Sequence, residues 1–104
     1  MDALARLEAI VTERICADPA ESYVASLMAK GVPTIARKLG EEAVEVVIAA
    51  LTGSEDELVG EAADVLFHLT VLLAAKGIPL ERVFAELERR EGTSGHDEKA
   101  GRGR

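Results

Sequence analysis

The chain is 104 residues long, which favours one domain with a modest core. Its 19 Asp and Glu outnumber 12 Lys and Arg, giving a formal net charge of −7. That balance excludes nonspecific nucleic-acid binding and adhesion to an anionic membrane, and an anionic substrate would need a cation or a local basic patch as intermediary.

Leu4, Leu7, Ile10 or Val11, and Ile15 share one face of a first helix expected at about Ala3 to Cys16. Arg6, Glu8, Glu13 and Arg14 make that stretch too charged for a signal segment. Cys16 is the only cysteine, so no intrachain disulfide can form and a reducing, cytoplasmic setting is expected. Pro19 breaks the pattern, and Ser22 can cap a short helix through about Lys30 with Leu27 and Met28 inward. In "KGVPT", Gly31 reads as a stop, Pro33 as a turn and Thr34 as the N-cap of a helix from about Ile35 to Leu51. Gly53 ends that helix, and Ser54 with Glu57 matches a capping box for a long helix reaching Lys76 and stopped by Gly77. Within it, the apolar run 62–75 is too short to span a bilayer and contains Asp64 and His68. Pro79 opens a last helix with Leu80, Val83, Phe84 and Leu87 as its apolar stripe. There is no strand-like alternation and no internal repeat. The expected fold is all-α, a bundle of four to five helices with short connections, forming a single domain over residues 1–91. Residues 92–104, including His96, are Gly-rich and charged and are expected to form a mobile tail.

Two of these helices bring negative charge into oily surroundings. On the helix 34–51, apolar residues cover more than half the circumference, leaving a narrow strip of Lys38, Glu41, Glu42 and Glu45. From Leu58 to Ala75 the ionisable residues are Glu61, Asp64 and His68, spaced three and then four apart on one stripe. The short connection lets the helices lie antiparallel with these strips facing each other. Solvated faces usually mix signs at i,i+4, whereas Glu41 and Glu45 are like charges one turn apart. Lys38 and His68 cannot balance Glu41, Glu42, Glu45, Glu61 and Asp64 together. A divalent cation can, and an all-oxygen carboxylate set suits Mg²⁺ or Mn²⁺. Such an ion would reconcile an acidic protein with a phosphate-bearing substrate. Leu58, Leu66, Leu69 and Leu73 are expected to fill the bundle core while Phe67, Val71 and Ala74 face elsewhere, a surplus of apolar surface that favours a homodimer.

At "SYVASLMAKG" (22–31), "IARKLGEEAVEVVIAA" (35–50), "EAADVLFHLTVLLAAKGI" (61–78) and "ELERREGTSG" (86–95) the chain resembles the MazG-like all-α nucleotide pyrophosphohydrolases. Within them it is similar to the phosphoribosyl-ATP pyrophosphohydrolase family of histidine biosynthesis. Val24 departs from the pattern, since Thr often follows the Ser-Tyr pair there. The resemblance implies a MazG-like bundle, hydrolysis of phosphoribosyl-ATP to phosphoribosyl-AMP and pyrophosphate, Mg²⁺ dependence and a homodimer. By motif position it implies Glu42, Glu45, Glu61 and Asp64 as metal ligands. A house-cleaning nucleoside triphosphate pyrophosphatase would share these carboxylates, and a non-catalytic helical interaction module is the reading from another class.

Around that set the remaining roles stay open. Glu41 is a general base, a second-metal ligand or an outward carboxylate near the helix start. Lys38 meets a phosphate or pairs with Glu42. Lys30 and Arg37 are weaker phosphate candidates, His68 orients Asp64, contacts substrate or is a core histidine, and Tyr23 contacts the adenine or ribose or packs in the core.

Overall fold

The computed structural model describes residues 2–92, so the expected tail beyond Gly92, with His96, lies outside the described residues. The described residues form five helices and no strand: α1 (Ala3–Arg14), α2 (Tyr23–Lys30), α3 (Val32–Thr52), α4 (Glu55–Ala75) and α5 (Leu80–Arg89). The all-α expectation holds.

The local chemistry of the chain explains most boundaries. Asp2 and Ser22 cap α1 and α2 through side-chain oxygens that accept from Ala5 and Ala25 N–H. Ser54 and Glu57 form the expected capping box at the start of α4. Gly31 ends α2 at φ 94°, a left-handed conformation that a side chain would strain. Thr34 is not an N-cap: α3 begins two residues earlier, with Pro33 in its first turn. A proline costs nothing there, because its missing N–H would have no intrahelical partner. The connection to α4 is tight, since a Cβ on Gly53 would sit 3.0 Å from the Ala49 carbonyl oxygen.

Val11, Val24, Leu27, Ile35 and Val71 form the buried core, where α1 and α2 close over α3 and the second half of α4. Phe67, Leu72, Ala74 and Ala75 pack against it. This reverses the expected facing of α4. Val71 is fully buried and Phe67 packs inward, while Leu66 is 47% exposed and Leu58, Leu69 and Leu73 are half-buried. The leucine spacing alone does not choose a side; the helices that cover α4 lie on the Phe67–Val71 side. The 21 residues of α4 are also long and apolar enough to cross a membrane, unlike the shorter run taken from the sequence. Its middle, however, carries Glu61, Asp64 and His68.

α5 touches the rest of the molecule lightly. Its first amide, Leu80 N–H, donates to Glu8 Oε2 at 2.7 Å across 72 residues of sequence. Pro79 offers no capping side chain, so a carboxylate from α1 supplies both the acceptor and the negative charge at the helix start. Glu8→Ala is expected to cost about 1–2 kcal/mol of stability. The check is thermal unfolding, with Glu8→Gln recovering part of the loss.

At the other end of α5, Glu86 accepts from Arg89 at 2.6 and 2.9 Å and from Arg90 at 3.0 Å. Chiefly the Arg89 hydrogen bonds, then those of Arg90, pull its carboxyl down from 4.5 to about 2. A depressed folded value means a contribution to stability that is complete above pH 4.5 and fades as pH falls toward 2. The group is solvent-exposed, so the contribution is small. Urea unfolding of Glu86→Gln is expected to lie below wild type at pH 6 and to converge on it only as pH falls through about 2.

Candidate functional site

α3 and α4 form the main helix pair, and their two-residue connection makes them antiparallel. That pairing brings the two acidic strips together. Glu42 from α3 and Glu61 and Asp64 from α4 each offer a carboxylate oxygen, all within 4.8 Å of one another. Glu42 and Glu61 are half-buried and Asp64 is exposed.

The cluster works against itself electrostatically. Loss of solvent is the largest cause raising the Glu61 carboxyl above 4.5, followed by a hydrogen bond and repulsion from Glu42, then repulsion from Asp64 and Glu45. Among the described residues, no Lys or Arg makes an ion pair with Glu42, Glu61 or Asp64. Among the described residues the charge is therefore uncompensated. Two oxygens bound to one hard cation at about 2.0–2.6 Å lie no more than about 5 Å apart, so the spacing fits a divalent ion. The oxygen-only donor set fits one as well.

The other candidates fall around this cluster. Glu45 is exposed and near enough to repel the charged form of Glu61, but stands outside the tight group of three. Glu41 is turned to its own helix, with Oε2 3.9 Å from Arg37 Nε and Oε1 3.6 Å from Lys38 Nζ. Lys38 thus pairs with Glu41 rather than with Glu42. Arg37 is largely exposed, and Lys30 is exposed at the end of α2.

His68 is buried, at 4% exposure, with both ring nitrogens engaged. Nδ1 lies 2.7 Å from the Asp64 carbonyl oxygen and Nε2 lies 3.1 Å from the Tyr23 hydroxyl. It therefore braces the backbone of Asp64, not its carboxylate. Tyr23 is half exposed and stacks on Phe67, with centroids 5.9 Å apart and planes at 18°. Phe67 was not among the sequence candidates; its adjacency to His68 was the available signal. Val24 is buried in the core with Val11, Leu27, Ile35 and Val71.

The family model described as phosphoribosyl-ATP pyrophosphohydrolase matches residues 4–91. A phosphoribosyl-ATP pyrophosphatase of Erythrobacter litoralis is 64% identical over 103 residues, 99% of each chain. The protein of that name from Novosphingobium aromaticivorans is 64% identical over 99 residues, covering 95% of this chain and 92% of the relative. That from Rhizorhabdus wittichii is 62% identical, covering 95% and 93%. With a match reaching from the first described helix to the last and relatives aligned nearly end to end, the chain belongs to the phosphoribosyl-ATP pyrophosphohydrolase family.

Proposed function

We propose that this protein hydrolyses phosphoribosyl-ATP to phosphoribosyl-AMP and pyrophosphate, in histidine biosynthesis, as a cytoplasmic, Mg²⁺-dependent homodimer built from one domain over residues 1–91. The observation that carries the proposal is the cluster of Glu42, Glu61 and Asp64 between two antiparallel helices, which no Lys or Arg among the described residues neutralises. Glu42, Glu45, Glu61 and Asp64 would hold the ion, with Mn²⁺ as the other ion suited to the same oxygens. When bound, Mg²⁺ offsets phosphate charge and acidifies a coordinated water.

The chain's own residues supply the rest. Lys38, half-buried and one helical turn before Glu42 on α3, offers a positive charge to a phosphate oxygen. Arg37 and Lys30 add weaker attraction at the exposed rim. Glu41 exchanges its pairing with Lys38 for the proton of the attacking water, taken up by a carboxylate oxygen. His68 and Tyr23 fix the Asp64 turn against α2.

A second copy of the chain is supported by the apolar surface that the described residues leave open. Val44, Val47, Ile48 and Leu51 on α3 and Val59 and Leu66 on α4 are exposed. An open apolar groove of about 390 Å³, lined by Ala43, Val46, Ala62, Val65 and Leu66, lies between the two helices. Sedimentation of the purified protein tests the dimer.

The activity is tested by pyrophosphate release with Mg²⁺ from phosphoribosyl-ATP, ATP, dCTP and dUTP. Strong preference for phosphoribosyl-ATP is the expected result. Preference for a free triphosphate moves the assignment to nucleotide house-cleaning, and no release from any of them, with metal binding verified, moves it to an interaction module.

A further inference from the structure

The hydrogen bonds around His68 determine what Tyr23 can recognise. A carbonyl oxygen only accepts, so the 2.7 Å bond to Asp64 requires the proton on His68 Nδ1. In the neutral ring Nε2 is then an acceptor, and the Tyr23 hydroxyl must donate to it. The hydroxyl proton is thereby committed inward. To any further partner Tyr23 Oη can offer lone pairs alone, and the residue as a whole is half exposed. Its ring is held in place by the stack on Phe67 and by the edge contact with His68. His68 bonds both the Tyr23 hydroxyl and the Asp64 carbonyl oxygen, so one imidazole ring links this acceptor to the backbone of a residue in the carboxylate cluster.

We propose, on the functional reading above, that Tyr23 Oη receives a hydrogen-bond donor from the nucleoside part of the substrate, a sugar hydroxyl or a base amino group, and so sets which way the nucleotide lies. Ionised phosphate oxygens are acceptors and cannot bond to a hydroxyl whose proton is already given away. The phosphate chain therefore lies over the carboxylates and Lys38, and the nucleoside lies toward α2. His68 is a positioning residue here: it touches no substrate and acts by holding the hydroxyl rotor in its inward orientation.

The test uses the two halves of the substrate as separate ligands. Binding of phosphoribosyl-AMP and of inorganic pyrophosphate, each with Mg²⁺, is measured by calorimetry on the full chain. Tyr23→Phe keeps the stacked ring and removes the acceptor; it is expected to weaken phosphoribosyl-AMP about three- to ten-fold and to leave pyrophosphate within about two-fold. His68→Asn keeps an amide donor for the Asp64 carbonyl and frees the hydroxyl, and is expected to shift the same ligand in the same direction by a smaller factor. A general loosening of the fold would weaken both ligands alike. Equal weakening of both halves, or no change in either, overturns the proposal while leaving the hydrolase reading intact. Wild-type protein that binds neither half overturns both.

Discussion

Glu61→Gln is expected to reduce pyrophosphate release by at least about a hundred-fold, since even partners outside the ligand set cost 10–100-fold when removed. The same change is expected to raise the unfolding temperature of the metal-free protein. The two effects have one cause. Glu61 loses solvent and faces Glu42, Asp64 and Glu45, so its negative form is held in the folded state at a cost. An amide of the same shape removes the repulsion and can donate to Glu42 where the carboxylate could not. It is also a poorer ligand for a hard cation.

The sign with pH follows. A carboxyl raised in the folded state binds its proton more tightly there than in the unfolded chain, so its contribution to stability declines as pH rises above 4.5. The gain from Glu61→Gln in the metal-free protein is therefore expected to be larger at pH 8 than at pH 5. Added Mg²⁺ should reverse the order, since it binds and stabilises the folded wild type by mass action and the variant much less. Melting curves with chelator and with millimolar Mg²⁺ check this. A variant that is less stable than wild type without metal and fully active with it would sink the metal-centre reading.

The sequence carried the site further than it carried the packing. Glu61, Asp64 and His68 at spacings of three and four needed only α-helical periodicity to be placed on one stripe. A short connection then sufficed to face them toward Glu42. The side-chain roles within the strip were less legible, because Lys38 had carboxylates within reach at both i+3 and i+4 and the structure pairs it with the nearer, Glu41. The facing of α4 was not legible at all. Away from the Glu61–Asp64–His68 stripe its residues are apolar almost all round, so no second polar side selects the facing, and the positions of α1 and α2 make Val71 core and Leu66 surface. The bond from Leu80 N–H to Glu8 joins residues 72 apart and leaves no local signature. Thr34 was misread because Thr before an apolar run resembles a cap, whereas Pro33 in a first turn was the better signal.

Leu27→Ala is expected to destabilise the protein by about 2–5 kcal/mol, the range for removing a buried leucine side chain. Leu27 is 1% exposed and sits on the eight-residue α2, too short to persist without tertiary support. Its side chain joins Val11 of α1, Ile35 of α3 and Val71 of α4 in one cluster, so the cavity left by truncation opens where the elements meet. In a domain of this length, about 2 kcal/mol corresponds to a fall in Tm of at least about 8 °C. Leu51→Ala, at a position 78% exposed within the described chain, separates the two sources of stability. If a second copy covers that face, Leu51→Ala lowers Tm in a manner that depends on protein concentration, while Leu27→Ala lowers it at every concentration. Denaturation series at two concentrations about a hundred-fold apart distinguish the cases. Equal, concentration-independent losses for both variants would show that Leu51 is covered within its own chain, and the dimer would then need another surface.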